Sequence, residues 1–566
     1  MKAFVLLIGE RDRGRLGHRR ELDASLGGST VVAHAARRAA AVAGVSGVRL
    51  VHPAGEPVPG GLDGVGAFAF DPALDPPAAQ TARRTARAWS PWAWRGGLGG
   101  STVFDELLPA APLLAAAEDA GAEAVVLAGA DWPLLDADLA GRMLALHAAE
   151  PEALPLVFSQ APPGLAPVVL GVGLLAQLAA EERAAAAGGF ARGHPTRRGF
   201  AGLLAYQPAR ARVDPLASDA NAAVPAAVRD AARRFVSDTP AGTARVRRLA
   251  RRLGDRFADA DADAVVAATL SDEADGGRFA TLPPLLHVEL TPRRWSRGSA
   301  TPPAPAPPRG PMPPALLEKI ARQSAGLAVT LGGLGDAGCH PDAAAAVAAF
   351  RGAGAAGVAV ETSLQGACDA ADRGAAEAVA AAVRGWAVDV VLVRLNAASA
   401  AVYAEANGAD GFDDAVAALH GLLPDPSVPR IVPVLTKTRG NVADLEPFFE
   451  RWWQLADHAI LERFPTGGTG RSALTPDASP VPMDPPWTPP RPTQAKRRLT
   501  VLADGTVCLC HQDWHGRLPL GDAGDAPLAE LWAGAATLAL DPAWTPDDSP
   551  LCRRCFDFLT LARGAA

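Results

Sequence analysis

The chain has 566 residues, which is too long for a single hydrophobic core and corresponds to roughly three or four domains. Apolar residues make up 49% and charged residues 20% of the sequence, as is usual for a globular protein. The net charge of −7 provides no dominant positive field, so we expect neither a general nucleic-acid binder nor a protein that binds acidic membranes.

The first predicted element is the apolar run AFVLLIG at residues 3–9. The run is too short for the core of a signal peptide or for a membrane-spanning helix, so it predicts a buried first strand. We therefore expect a cytoplasmic protein. In a reducing compartment, clustered cysteines are more often metal ligands than disulfides.

Residues 1–240 predict a first domain in which apolar runs alternate with helical segments such as residues 29–43. After the first run, the apolar runs lie at 47–53, 122–135, 154–160 and 203–208. This alternation predicts an open, mostly parallel α/β sheet with helices on both faces. Residues 241–282 are first basic and then acidic, which predicts a helical connector with a solvated face.

Two loops of the first domain resemble those of sugar-phosphate nucleotidyltransferases. The loop LLIGERDRGRLGHRREL at residues 6–22 is rich in glycine and carries Arg15. The resemblance implies that its backbone N–H groups and Arg15 contact nucleotide phosphates. The turn AGADWPLLD resembles the turn whose aspartate holds a metal ion and the nucleotide, which implies that role for Asp131. The alternative is that Asp131 only caps the helix that follows Pro133.

Residues 283–478 predict a second α/β domain with a regular alternation of strands and helices. The strand candidates are at 285–291, 327–333, 357–363, 388–395, 430–436 and 458–464. Six such units predict a partial, parallel (βα)6 barrel. In barrels of this kind, the chemistry lies at the carboxyl ends of the strands.

A proline-rich linker at residues 479–494 precedes a small module at residues 495–566. The module contains four of the six cysteines of the chain, which are Cys508, Cys510, Cys552 and Cys555. Four thiolates can hold a zinc ion or a 4Fe–4S cluster. A C-x-C pair is less typical of zinc sites than C-x-x-C, but the spacing leaves both metals open.

The residues around these cysteines resemble the SPASM domain of radical S-adenosylmethionine (SAM) enzymes. The shared features are Asp504 and Gly505, Cys510, Asp513, Leu520 and Gly521, Glu530 to Trp532, and the final pair Cys552 and Cys555. In that family the domain binds an auxiliary iron–sulfur cluster. The resemblance therefore implies that Cys510, Cys552 and Cys555 are cluster ligands, with Cys508 as the fourth.

The second domain resembles the radical-SAM core at the turn after its second strand. Gly332, Gly333 and Asp336 occupy the places of a G-G-x-x-E-like turn that meets the methionyl part of SAM, with Asp where Glu is usual. The resemblance implies that these residues contact the cofactor.

The C-x-x-x-C-x-x-C motif that this family carries after its first strand is missing. Its positions fall near Arg294, Gly298 and Thr301, and none of them is a thiol. Without three thiolates no cluster forms there to chelate SAM or to deliver the electron that cleaves its S–C bond. We therefore expect a barrel that performs no radical chemistry by the usual route, and SAM is a doubtful cofactor.

The order of the three domains resembles the spiro-SPASM protein family. The leading hypothesis is an iron–sulfur protein with one auxiliary 4Fe–4S cluster and a degenerate barrel. The alternatives are an active radical-SAM enzyme that modifies a peptide or protein, a nucleotidyltransferase with a C-terminal scaffold, and a zinc-stabilised binding protein. The expected partners are accordingly a peptide or protein substrate or a nucleotide, with neither nucleic acid nor a membrane.

Overall fold

The structure is a computed structural model, and it describes most of the chain. The described residues are 1–11, 21–77, 109–187, 219–229, 234–283, 285–294, 296, 298–300, 309–365, 376–425, 428, 431–456, 460–462 and 498–540. The predicted residues Arg15, Thr301, Cys552 and Cys555, the predicted strand at 203–208 and the predicted linker at 479–494 lie outside them. The chain forms two compact units, Met1–Gly277 and Arg278–Ala566.

The first unit is an α/β structure. Its described strands are β1 (Ala3–Ile8), β2 (Ser25–Leu26), β3 (Ser29–Thr30), β4 (Gly47–Pro53), β5 (Gly66–Phe70), β6 (Ala124–Gly129), β7 (Leu156–Val157) and β8 (Val168–Gly171). Its described helices are α1 (Val31–Ala40), α2 (Ala110–Ala120), α3 (Ala137–Ala149), α4 (Val172–Ala187), α5 (Ala226–Arg229), α6 (Pro240–Leu253) and α7 (Ala262–Ala274).

The main sheet of this unit has the order β5-β4-β1-β6-β8-β7. The first four strands in that order are parallel, and β8 and β7 continue the sheet in antiparallel fashion. Strand β1 lies in the middle because its run AFVLLI is apolar on both faces, which suits a strand covered on both sides. The predicted open, mostly parallel sheet is confirmed.

The helices of the first unit begin and end at residues suited to those positions. Thr30 accepts a hydrogen bond from the Ala33 N–H at 3.2 Å and so caps α1. Helix α2 ends at Gly121, whose positive φ of 57° is the left-handed conformation that glycine adopts without strain. The threonine cap thus defines where α1 begins, and the glycine defines where α2 ends.

The segment predicted as a connector packs onto the first unit. Arg38 of α1 is buried, and its guanidinium donates hydrogen bonds to the carbonyls of Leu135, Phe257 and Ala260 at 2.7–2.9 Å. Apolar residues of α6 and of the turn that follows it join the same hydrophobic core. Helices α6 and α7 therefore belong to the first compact unit.

The second unit is also an α/β structure. Its described strands are β9 (Leu285–Val288), β10 (Ala328–Leu331), β11 (Gly357–Thr362), β12 (Val390–Arg394), β13 (Ile431–Thr436), β14 (Ile460–Glu462), β15 (Arg498–Val501), β16 (Thr506–Cys508) and β17 (Pro519–Asp522). Its described helices are α8 (Pro314–Ala321), α9 (Ala343–Gly352), α10 (Ala376–Gly385), α11 (Ala400–Asn407), α12 (Phe412–Leu422), α13 (Leu445–Ala456) and α14 (Leu528–Leu540).

These strands form one sheet in the order β14-β13-β12-β11-β10-β9-β15-β16-β17. Strands β9 to β14 are parallel, as the sequence predicts for six βα units. Strand β15 lies parallel to β9, and β16 and β17 follow in antiparallel fashion. The strands of the cysteine module therefore continue the sheet of the predicted barrel.

The two faces of this sheet differ in chemistry. On one face, Val288, Val329, Val360, Val393 and Val501 join the hydrophobic core together with residues of the surrounding helices. Because successive side chains of a strand point to opposite faces, the residues between them lie on the other side. We call that side the polar face, because it carries the histidine, threonine, glutamate and arginine side chains described below.

Candidate functional site

A row of aligned residues crosses the polar face at mid-strand. His287 of β9 pairs with Thr330 of β10 on one side and with Thr500 of β15 on the other. Thr500 in turn pairs with Cys508 of β16. Directly paired residues present their side chains on the same face of a sheet. The register therefore aligns the predicted ligand Cys508 with His287 and both threonines.

The side chain of His287 is buried, and within the part of the chain that the structure describes neither ring nitrogen has a hydrogen-bond partner. Burial lowers the pKa of His287 from 6.5 to about 4, and the nearby Glu361 opposes this shift while Arg498 and Arg394 add to it. The imidazole is therefore neutral near pH 7. A neutral ring offers one N–H donor and one acceptor nitrogen.

An ion pair lies on the same face toward the carboxyl ends of the strands. Glu361 of β11 accepts a hydrogen bond from the Gly333 N–H at 2.9 Å and lies 3.2 Å from the guanidinium of Arg394. Burial alone would raise the pKa of Glu361, but Arg394, His287 and the Gly333 N–H together lower it. The carboxylate is therefore ionised, and it ties the turn after β10 to the end of β12.

The predicted cofactor turn packs tightly against its surroundings. A Cβ at Gly332 would lie only 2.6 Å from the Cβ of Glu361, and Gly333 has a positive φ of 113°. A Cβ at Gly335 would overlap the carbonyl oxygen of Thr291 in the loop after β9. The glycines are thus required for close approach of the turn to neighbouring strand ends.

Asp336, the third residue predicted to contact the cofactor, is engaged within the protein. Its carboxylate accepts hydrogen bonds from the backbone N–H and the hydroxyl of Ser363 at 2.7 and 2.6 Å. It also accepts one from the Gly338 N–H at 2.8 Å. These contacts join the turn after β10 to the end of β11, which is a structural role for this carboxylate.

A second buried ion pair follows β9. Glu289 lies 3.0 Å from Arg309 and accepts a hydrogen bond from the Ala503 N–H at 3.0 Å. Burial raises the pKa of Glu289, although Arg309 and that N–H oppose the shift. Arg309 also donates to the carbonyl of Trp514 at 2.8 Å. The pair therefore fastens the loops around Cys508 to the end of the first parallel strand.

The loop after β9 packs against the carboxyl end of α11. The hydroxyl of Ser296 donates to the Asn407 carbonyl at 3.2 Å, and the Ala300 N–H donates to the Ala406 carbonyl at 2.9 Å. A Cβ at Gly298 would overlap the backbone of Ala406 and Gly408. This position has no room for a larger side chain in the observed backbone.

Two of the predicted metal ligands are described, and both are buried cysteines that form no disulfide. Cys508 ends β16, and Cys510 follows it by two residues, with its Sγ 4.0 Å from His511 Nδ1. Burial raises the pKa of the Cys508 thiol, and Asp513 adds to the effect. The thiolate is therefore stable there only if a positive partner such as a metal replaces the proton.

The sulfur donors fit an iron–sulfur cluster or a zinc ion, because thiolate is a soft ligand that both accept. Within the described residues, no three His, Cys, Asp or Glu side chains are close enough to hold a metal ion. The other predicted ligands, Cys552 and Cys555, lie outside this part of the chain.

Asp131 lies in the first unit, in the turn after β6. It is buried beside the end of β1, since the Ala130 N–H donates to the Ile8 carbonyl at 3.1 Å. The alternative that Asp131 caps the next helix is wrong. The cap of α3 is Asp136, whose carboxylate accepts from the Leu139 and Ala262 N–H groups at 2.9 and 2.8 Å.

Sequence reasoning missed most of the polar face. The missed residues are His287, Thr330 and Thr500, whereas Glu361 and Arg394 lie at the carboxyl ends of strands, where the sequence predicts the chemistry. A signal was present, because each is a polar residue at an alternate position of an otherwise apolar strand. This pattern shows which residues of one strand share a face. The alignment of His287, Thr330 and Thr500 in one row depends on the pairing of strands that are far apart in the sequence.

The cysteine module is similar to a known domain. Residues 493–556 match SPASM, described as an iron–sulfur cluster-binding domain. An uncharacterized protein of Treponema pallidum (strain Nichols) is 27% identical over 129 residues, which is 23% of this chain and 34% of that protein. The match thus spans about a third of the length of that relative.

Two solved structures are similar to parts of the chain. A cytidylyltransferase from Leptospira borgpetersenii serovar Hardjo-bovis (strain JB197) is 12% identical, with 48% of this chain and 96% of that chain covered and a TM-score of 0.33. Streptococcus suis SuiB bound to its precursor peptide SuiA is 12% identical, with 52% and 76% covered and a TM-score of 0.36.

None of the helices formed by the described residues is both long enough and apolar enough to cross a membrane.

Proposed function

We propose that this chain is an iron–sulfur protein of the radical-SAM and SPASM type whose C-terminal module holds one auxiliary 4Fe–4S cluster. The observation that carries the proposal is the SPASM match over residues 493–556, within which Cys508 and Cys510 are buried thiols outside any disulfide. These two cysteines, with Cys552 and Cys555, would hold the cluster. A bound cluster supplies one-electron redox chemistry or a structural cross-link.

We further propose that the barrel has lost conventional radical chemistry. The family's three cysteine positions fall near Arg294, Gly298 and Thr301. The lack of room for a Cβ at Gly298 supports this proposal, because a cysteine there would require the loop to move away from α11. The use of Asp336 to hold Ser363 supports it as well, since both of its carboxylate oxygens are engaged within the protein.

The domain order supports assignment to the spiro-SPASM type, with a nucleotidyltransferase-like domain before the barrel. We place the protein in the cytoplasm, where reducing conditions keep cysteine thiolates available for metal binding. Under this proposal the residues around Cys508 serve to shield the cluster from water. Glu289 and Arg309 hold the loop of Trp514 in place beside it.

Metal analysis of the full chain tests this proposal. After anaerobic reconstitution we expect about four iron and four sulfide per chain, with an absorption band near ~400 nm. Cys508→Ser and Cys552→Ser should lose most of the iron. Leu270→Ser, which changes an exposed residue of the first unit, should retain it.

Two results would contradict the proposal. Tightly bound zinc at about one ion per chain, without iron, would assign the cysteines to a structural zinc site. About eight iron per chain, with release of 5′-deoxyadenosine from SAM, would show an active radical-SAM enzyme. A peptide or protein would then be the substrate class to examine.

A second candidate function is nucleotide binding by the first unit. The observation that favours it is that Asp131 is buried at a strand end without serving as the helix cap. We propose that Asp131 holds a metal ion and nucleotide, with Arg15 near the phosphates. CTP with magnesium should then raise the melting temperature of the wild type and of Asp138→Asn, but not of Asp131→Asn. Equal shifts in all three proteins would exclude this role.

A further inference from the structure

A disulfide bond is present in the second unit, in the turn that follows β10. Cys339 is disulfide-bonded, whereas the two other cysteines among the described residues, Cys508 and Cys510, are free thiols. The partner of Cys339 is therefore one of the three cysteines outside the described residues, which are Cys368, Cys552 and Cys555. The cluster proposal uses the last two of these, so Cys368 remains.

The surroundings of Cys339 also favour Cys368 as its partner. In the sequence, Cys368 belongs to the short segment that connects β11 to α10. Gly338 lies between these two elements, because a Cβ on it would be 3.4 Å from Oγ1 of Thr362 in β11 and 3.4 Å from Cγ1 of Val379 in α10. Cys339 thus follows a residue that contacts both elements joined by the segment of Cys368.

Asp336 holds the turn of Cys339 against the end of β11 independently of the disulfide. Its carboxylate accepts hydrogen bonds from the N–H and the hydroxyl of Ser363, and its carbonyl accepts one from the Cys339 N–H at 2.9 Å. The turn therefore keeps its place when the disulfide opens, which favours closing the bond again. Cys339 is partly exposed, so a small thiol or disulfide can reach it.

We propose that Cys339 and Cys368 form a reversible thiol–disulfide switch at the carboxyl ends of β10 and β11. This inference rests on the cluster ligands and the cytoplasmic location proposed above. In a reducing compartment a disulfide is usually transient, and it then senses the redox state or takes part in catalysis. The switch lies at the strand ends where barrels of this kind carry their chemistry, and its oxidised form cross-links two of them.

Oxidation of the pair requires an oxidant, and a low-molecular-weight disulfide such as oxidised glutathione supplies it. The Cys339 thiolate attacks one sulfur of this oxidant, forms a mixed disulfide and releases one glutathione thiolate. The Cys368 thiolate then attacks the Cys339 sulfur, closes the disulfide and releases the second glutathione thiolate. The two electrons and the two thiol protons of the pair thus end on two molecules of reduced glutathione, and the reverse sequence opens the bond.

Peptide mapping of the full chain tests the pairing. Trypsin, which cuts after lysine and arginine, places Cys339 on the peptide 323–351 and Cys368 on the peptide 352–373. After anaerobic incubation with oxidised glutathione, we expect these two peptides as one linked species, both in the wild type and in the control Cys552→Ser. In Cys368→Ser, Cys339 should instead carry one glutathione, because the thiol that resolves the mixed disulfide is missing.

Reversibility and stability are the second readout. Reduced glutathione at millimolar concentration should lower the linked fraction of the native chain at least about tenfold, because a regulatory disulfide exchanges with the glutathione pool. The oxidised wild type should have a higher melting temperature than the reduced wild type, and Cys339→Ser should lack this difference.

Absence of the linked peptides would overturn the pairing, and linkage of Cys339 to Cys552 or Cys555 would do the same. A linked species that resists reduced glutathione would be a permanent cross-link and would overturn the switch. Equal melting temperatures of the oxidised and the reduced wild type would contradict a cross-link in the folded chain. These failures are distinguishable from failure of the cluster proposal, which is decided by the iron content of Cys508→Ser.

Discussion

Acid should destabilise the second unit through His287, and His287→Phe should remove that sensitivity. In the folded chain the ring is buried and its pKa lies at about 4, whereas the unfolded value is 6.5. Between those two values the unfolded chain binds a proton that the folded chain does not bind. Stability therefore falls as the pH decreases through this window and is fully present above it.

The magnitude follows from the size of the pKa shift. A shift from 6.5 to about 4 corresponds to about 3 kcal/mol of unfolding free energy once the pH is below both values. At pH 5 about 2 kcal/mol of this should already be lost, and at pH 7.5 almost none. Phenylalanine fills a similar volume without a titrating group, so the variant should lack this part of the pH dependence.

Urea unfolding of the metal-free chain at pH 7.5 and pH 5.0 measures the effect. The wild type should lose about 2 kcal/mol more than His287→Phe between these two conditions. Thr330→Val changes the neighbour of His287 but keeps the histidine. Its free energy of unfolding should therefore fall by as much as that of the wild type between pH 7.5 and pH 5.0. Equal losses in the wild type and in His287→Phe would refute the reasoning, because His287 would then be protonated as easily in the folded chain as in the unfolded chain.

Three substitutions test other parts of the structure by urea unfolding. Arg309→Met should lower the free energy of unfolding by about 3–5 kcal/mol, because it leaves Glu289 as a buried carboxylate without its cation. Adding Glu289→Gln should recover part of this loss. Gly335→Ala should cost at least about 2 kcal/mol, since its Cβ would overlap the Thr291 carbonyl. The matched change Gly352→Ala in α9 has open space and should be neutral or stabilise by up to about 1 kcal/mol. Asp136→Ala should cost about 2 kcal/mol, because it removes the cap of α3 and the acceptor for the Ala262 N–H, and an unchanged midpoint would contradict that role.

The predicted connector shows where local sequence patterns are insufficient. The basic segment and the acidic segment after it predict a helical connector, and α6 and α7 are helices. Their packing onto the first unit depends on Arg38, whose guanidinium reaches carbonyls of Phe257 and Ala260. The contacts of this buried arginine could not be predicted from residue patterns. Its partners are backbone carbonyl groups, and every residue has one whatever its side chain.

The predicted cofactor turn was also predictable from the sequence only in part. The glycines at positions 332 and 333 indicate a close approach of the backbone, and the structure has that approach against Glu361. The hydrogen bond between Asp336 and Ser363 could not be derived from the sequence, because Ser363 lies at the end of another strand. Helix and strand patterns describe each segment alone, whereas such partners depend on which strands become neighbours.

The sequence by itself determined the α/β class, the parallel strands and the cysteine-bearing end, because hydrophobic alternation, length and cysteine spacing are local properties. Only the tertiary structure decided that β15 pairs with β9, which aligns Cys508, Thr500, His287 and Thr330 in one row. The physical reason is that strand pairing is a choice among distant segments with similar apolar patterns, and it is settled by the packing of the whole unit.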